Sequence, residues 1–208
     1  MTDSSGKDRR MEILEAARTC LARYGFDKLT MEDVGKEVGL NKASLYYYFK
    51  NKETLVSEVI GAEMGQSVAE LQAKVESETG CEQRITTYLV ERFRIYQRVS
   101  NLHNLSLGNF RQVGPTLRAL YKDYKVQEIA FLATILDYCV AENAITDCDT
   151  THLASAILSV ADGFKLEVLN DPSLPPHAPV DYSIIEKEVV FTVSLMLKGM
   201  AGKGNVKG

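Results

Sequence analysis

The sequence has no tryptophan, three histidines and only five prolines in 208 residues. Its four cysteines include no CxxC pair, so neither a zinc-ribbon nor a thioredoxin-type motif is present. Cys148 and His152 are ligand-like residues four apart, but no third or fourth ligand lies near them in the sequence, and neither a metal nor a cofactor is expected. Three of the cysteines sit in apolar or helical settings, where buried reduced thiols are expected. Long apolar runs are missing too. The longest candidate, Val189–Leu197, is about half the ~18 residues that would suggest a membrane span. The opening MTDSSGKDRRMEI has no secretory apolar segment, so a cytoplasmic location is expected. Extremes of charge are absent as well: 25% charged and 45% hydrophobic residues with a net charge of −4 exclude disorder for most of the chain.

That modest net charge hides an asymmetry. Residues 1–52 carry a net charge of +2 and residues 53–208 a net charge of −6. A small basic head on an acidic body can bind nucleic acid through the head alone, because phosphates respond to the local field.

Helical spacing dominates the chain, and no alternating strand pattern bounded by hairpin turns competes with it. The first helix carries Met11, Leu14, Ala17, Leu21 and Tyr24 on one face, widened by Ile13, Ala16 and Cys20, and Gly25 ends it. Thr30 and Asp33 form a capping pair for a second helix that Gly39 stops. Asn41 caps a third helix over Lys42–Phe49, and Asn51 caps a fourth from Lys52 to about Glu76. A fifth helix fits Glu82–Ser100, a short sixth lies near Leu102–Phe110, and Gly114-Pro115 opens a seventh that reaches Glu142. Asp149 or Thr150 opens the eighth. Four of the five prolines lie in Asn170–Val180, which must be a loop, and Ser183 with Glu186 caps the last helix. An all-α fold of about nine helices is expected.

The informative segment is Leu29–Lys52. A helix-turn-helix needs a small residue where two helices approach closely, and Gly35 supplies it at about 1 kcal/mol of helix propensity relative to alanine. Its turn needs a residue tolerant of positive φ, which Gly39 provides. Val34, Val38, Leu40 and Leu45 have the spacing to lock the pair. The start of the second helix must present small and polar groups to a major groove, as Asn41, Lys42, Ala43 and Ser44 do. In the run Tyr46-Tyr47-Tyr48-Phe49, adjacent residues cannot share a face; Phe49 follows Leu45 by four and should be buried, turning Tyr46 and Tyr47 outward.

These residues resemble the N-terminal domain of the TetR (tetracycline repressor-type) family of bacterial transcriptional regulators over Arg10–Ile60. The resemblance rests on Gly25-Phe26, Thr30, Val34-Gly35, Gly39-Leu40, Leu45-Tyr46, Tyr48-Phe49 and Lys52-Glu53-x-Leu55. Gly35 departs from the family, where alanine is more usual. The resemblance implies that Thr30 caps the second helix and bonds a phosphate. Lys42, Ala43 and Ser44 would lie in the major groove, with Lys42 facing a guanine edge. Tyr46, Tyr47 and Lys52 would hold the DNA backbone; Tyr48 is divided between backbone contact and packing. It also implies a homodimer on a palindromic double-stranded operator and a small-molecule effector of unknown identity, with residues 1–51 as the DNA-binding domain and residues 52–208 as the effector-binding and dimerisation domain; the short apolar runs add no expected membrane partner.

The eighth and last helices are candidates for the dimer interface, through Leu153, Ala156, Ile157, Val160 and Phe164 and through Val189, Val193 and Met196. Tyr88, Arg92, Tyr96, His103, Phe110, Tyr124, Phe131 and Tyr138 are candidates for an effector pocket, which combines an apolar lining with a few polar groups. Repression is the expected sign of control. An enzyme is the first alternative, but no nucleophile triad, phosphate loop or carboxylate pair stands out, and Asp162 and Glu167 look isolated. A thiol sensor pairing Cys139 with Cys148 is a second alternative, and a helical adaptor, which leaves Lys42–Lys52 unexplained, a third.

Overall fold

The structure, a computed structural model, describes residues 3–102 and 106–201, without the side chains of residues 3–6, 101–102, 107, 110–121 and 123. Eight helices are found among them: α1 (Asp3–Lys28), α2 (Met31–Glu37), α3 (Lys42–Tyr48), α4 (Lys52–Ser77), α5 (Cys81–Leu102), α6 (Leu107–Ala141), α7 (Thr150–Asn170) and α8 (Ser183–Gly199). The only extended pairing among the described residues is an isolated antiparallel bridge between Ser106 and Pro179.

Most helix starts are the ones the local chemistry dictates. Thr30 and Asp33 form a reciprocal capping box, Asn41 accepts from the Ser44 N–H, Asn51 from the Thr54 N–H and Asp149 from the His152 N–H. Each satisfies an N–H that the helix itself leaves unpaired. Three expectations are corrected. The expected sixth and seventh helices are one, because Ser106 and Asn109 cap each other reciprocally at the start of α6, which then runs through Gly114-Pro115. Ser183 is the first helical residue rather than the cap; its N–H donates to Asp181, and Tyr182 holds the cap position. On α1 the buried face is Ile13, Ala16, Ala17, Cys20 and Leu21, whereas Met11 and Tyr24 are exposed.

The chain forms two compact units. The first comprises residues 1–66, 98–121 and 172–180, and the second residues 67–97, 122–171 and 181–208. In the first, Ile13, Leu21, Val34, Leu45, Phe49, Leu55 and Val59 form the core around α1–α3 and the start of α4. In the second, Ile85, Leu89, Phe93, Leu132, Leu136, Ile157, Val189 and Val193 do so. Each such burial contributes about 1.5–3 kcal/mol before entropy opposes it.

Within the second unit α5 and α6 run antiparallel in one register. Cys81 is bonded to Cys139, the Arg84 guanidinium lies 4.0 Å from the centre of the Tyr138 ring, the Tyr88 and Phe131 rings lie 6.0 Å apart, and Arg92 pairs with Glu128.

Candidate nucleic-acid interface and the helical body

Three glycines shape the head. Gly25 (φ 72°) ends the regular part of α1, and Gly39 (φ 65°) makes the turn between α2 and α3. The Leu40 N–H donates to the Gly35 carbonyl at 2.8 Å, and a Cβ on Gly35 would lie 2.7 Å from the Leu40 carbonyl oxygen. The close approach at Gly35 is therefore to the turn backbone, and an alanine there requires the turn to move outward. Behind α3, Leu45 and Phe49 are buried. The Arg10 guanidinium sits 4.5 Å from the Phe49 ring centre and donates to Glu58 at 2.6 Å, tying α1 to α4.

This packing leaves one face of α3 to solvent. Tyr47 is 86% exposed, and Asn41, Lys42, Ala43 and Tyr46 are exposed beside it. Ser44 and Tyr48 are half-buried, and the Tyr48 ring meets Tyr47 edge-on at 5.3 Å. Lys42 reaches back to Glu32 at 3.1 Å, and that carboxylate raises its pKa. Both partners are exposed, so the pair is weak and readily exchanged for another acceptor.

Two of the expected phosphate contacts are engaged inside the head. The Thr30 hydroxyl and N–H both donate to Asp33, at 2.6 and 3.2 Å, so a phosphate bound there would have to displace a carboxylate. Lys52 donates to the Phe26 carbonyl at 2.9 Å with its ammonium 4.3 Å from the Phe26 ring centre, joining the end of α1 to the start of α4.

The second unit contains a buried charge cluster that the sequence conceals. Arg92, 3% exposed, donates to Glu128 at 2.7 and 3.3 Å and to Asp162 at 2.7 Å. Lys125 and Lys165 also reach Asp162, at 3.1 and 3.2 Å. Burial pushes the Asp162 carboxyl up, but Arg92 and Lys165 together hold it well below the usual carboxylate range. Burial and the neighbouring Arg92 lower Lys165 to about 8. Tyr96 lies against this cluster, with Arg92 5.1 Å and Lys165 4.5 Å from its ring centre, and the Tyr182 ring is 6.2 Å from that of Tyr96. Asp162 is thus the centre of a network rather than an isolated acid. Glu128 and Lys125 carry no local signal of this cluster in the sequence; the one such signal is the Asp162–Lys165 spacing of three on one helix face.

Of the effector candidates, Tyr88 and Arg92 are buried, and Tyr96, Tyr124, Phe131 and Tyr138 are half-buried on α5 and α6. His103 and the side chain of Phe110 lie outside what the structure describes. The interface candidates divide by exposure. Leu153, Ile157, Val189 and Val193 face the unit's own core, and Ala156, Val160, Phe164 and Met196 are half-buried. On α8, Ile184, Phe191 and Leu195 are 70%, 62% and 53% exposed along one stripe. The thiol expectations are also corrected: Cys139 is bonded to Cys81, 58 residues away, and Cys20 and Cys148 are the two not in a disulfide. Among the described residues no group of three or more His, Cys, Asp or Glu side chains is placed to hold a metal, and no helix is long and apolar enough to cross a membrane.

A capped two-helix unit with a glycine turn, exposing a short polar and tyrosine-bearing helix from a packed three-helix head, is the architecture of a helix-turn-helix DNA-binding domain. Residues 13–59 match the family of bacterial regulatory proteins named tetR. The chain is 22% identical over 167 residues to a fatty acid metabolism regulator protein of Bacillus subtilis, covering 79% of this chain and 86% of that one. It is 33% identical over 73 residues to the transcriptional repressor AcnR of Corynebacterium jeikeium, covering 35% of this chain and 38% of that one. Among solved structures, a transcriptional regulator from Cytophaga hutchinsonii superposes with a TM-score of 0.72 at 25% identity, over 91% of this chain and 96% of that one. Residues 13–59 thus match a tetR-type DNA-binding domain, and the proteins that the chain resembles over most of its length are named as regulators.

Proposed function

We propose that the protein is a homodimeric, cytoplasmic repressor that leaves a palindromic operator when a small molecule binds its body. Residues 1–51 are the reading head, and residues 52–208 sense and pair. The observation that carries this proposal is the exposed face of α3, with Lys42 and Tyr47 displayed on a buried Leu45–Phe49 base. Lys42 exchanges Glu32 for a guanine edge, and the tyrosine hydroxyls hold phosphates without reading sequence.

Pairing is supported by the Ile184–Phe191–Leu195 stripe, a row of large apolar side chains that water solvates poorly. The effector meets the body around Arg92, Tyr96 and Tyr182, where buried charge and aromatic rings combine. It shifts operator binding only by its differential affinity for the two conformers. One relative is named for fatty acid metabolism, so a first effector screen begins with fatty-acid-derived compounds.

The test is a salt series of binding to the DNA immediately upstream of the protein's own gene against a scrambled duplex, for wild type and Lys42→Ala/Tyr47→Phe. Selective binding that falls steeply with salt and is weakened by the double substitution is expected. Failure to bind either duplex at low salt overturns the proposal.

A further inference from the structure

Two sulfurs on different helices of the second unit are joined, and they differ in burial and in which end of a helix they occupy. Cys81 is the first residue of the 22-residue α5 and is half-buried. The start of a helix favours negative charge, and Arg84, one turn on, places a guanidinium on the same helix. Cys139, two residues before the end of α6, is fully buried. Its carbonyl accepts from the Ala144 N–H at 2.9 Å, so its backbone is fixed in the turn that closes α6. The two cysteines outside the bond are set against reaction. Burial, with Asp147, Asp149 and Asp137 around it, pushes the Cys148 thiol up, and burial does the same to Cys20.

We propose that Cys81 and Cys139 are a reversible oxidation site for a hydroperoxide, with Cys81 the attacking thiol and Cys139 the resolving one. The Cys81 thiolate attacks one oxygen of hydrogen peroxide, breaking the O–O bond to leave a sulfenic acid on Cys81 and one hydroxide, which takes up the thiol's proton as water. The Cys139 thiol then attacks that sulfur, forming the S–S bond and releasing a second water. Two thiols are oxidised by two electrons and one peroxide is reduced to two waters. A dithiol reductant reverses the bond by exchange.

The register of α5 on α6 gives the bond a consequence. It closes one end of the antiparallel pair whose other rungs are Arg84–Tyr138, Tyr88–Phe131 and Arg92–Glu128. Oxidation therefore pins the helix pair that carries Arg92, and reduction frees the start of α5. A DNA-binding protein works where the DNA is, and in most such compartments thiols are kept reduced, so a disulfide there is characteristically a sensing one. This last step rests on the function proposed above; the thiol chemistry does not.

The experiment counts alkylated thiols by intact mass, under denaturing conditions, in the full-length protein after reduction and after hydrogen peroxide. The count is expected to fall from four to two, with Cys81 linked to Cys139, and to return on dithiothreitol treatment of the native protein. Cys139→Ser is expected to stop at a sulfenic acid on Cys81 that dimedone captures. Cys81→Ser, a conservative change at a helix start, is expected to keep its remaining thiols. Dimedone capture at Cys148, an unchanged thiol count after peroxide, or a bond that native reduction does not open overturns the site. Operator titrations of oxidised and reduced protein are expected to differ by about fivefold or more, and not in Cys81→Ser. Equal affinity in the two states overturns the regulatory role. Absence of operator binding in both states counts against the proposed function, while the thiol count still decides the chemistry.

Discussion

Arg92 on α5 and Asp162 on α7 meet at 2.7 Å through the guanidinium Nη2, and Glu128 of α6 accepts from Nε and from that same Nη2. One buried cation thus holds carboxylates from two other helices. Removing it leaves those carboxylates in a poorly solvated interior, and loss of one partner from a buried pair costs about 3–5 kcal/mol. Arg92→Met is expected to lower unfolding stability by about that amount in urea titrations. Arg92→Lys is expected to recover little, because an ammonium cannot bridge the two carboxylates with a planar fork. A loss below about 1 kcal/mol would show that the network contributes nothing net.

The same cluster sets the acid limb of stability. Asp162 has a folded-state pKa below its unfolded value of 3.8, so its contribution is complete above that value and is lost as pH falls toward the folded one. The difference in unfolding free energy between wild type and Asp162→Asn should shrink between pH 6 and pH 2, on the order of 2 kcal/mol in all. Lys165 acts at the other end. Its folded pKa of about 8 lies below the unfolded 10.5, the unfolded chain binds more protons between them, and stability relative to Lys165→Met should rise with pH across that window. Flat difference curves in both ranges would contradict these assignments.

Lys42 and Lys52 are ten residues apart and should respond differently to substitution. Lys42→Ala breaks only an exposed ion pair with Glu32, so its thermal midpoint should move little while operator affinity falls about tenfold. Lys52→Met removes the bond to the Phe26 carbonyl and the contact with its ring, and should destabilise the head by about 1–2 kcal/mol before any DNA is added. Paired thermal melts and DNA titrations separate the two roles.

Neighbouring positions on α8 give a sharper contrast. Phe191→Glu places a charge on the exposed stripe and should yield a folded monomer by sedimentation at micromolar concentration. Val193→Glu buries an unpaired carboxylate and should unfold the body instead. A folded dimer of the Phe191 variant would place the pairing surface elsewhere.

Much of the head was legible because its signals are local. Thr30–Asp33, Asn41–Ser44 and Asn51–Thr54 each act within one helical turn. Leu45 and Phe49 separate from Tyr46 and Tyr47 by helix geometry alone. The start of α6 differs from its strongest local signal: a proline after glycine favours a helix start, yet the Ser106–Asn109 pair supplies the cap.

The body is another matter. A helix that is apolar nearly all round, as Val189–Leu197 is, does not say which side meets its own chain; packing turned Val189 and Val193 inward and Phe191 and Leu195 out. Arg92, Glu128 and Asp162 are separated by 36 and 34 residues, and Cys81 and Cys139 by 58, so nothing in their immediate surroundings announces the partner. By itself the sequence determined most of the helices, the caps of α2, α3, α4 and α7 and the exposed face of α3, because those depend on hydrogen bonds and periodicities a few residues long. Only the tertiary structure decided the buried charge network, the sulfur pair and the exposed stripe of α8, because each depends on which helix faces which, settled by the packing of the unit as a whole.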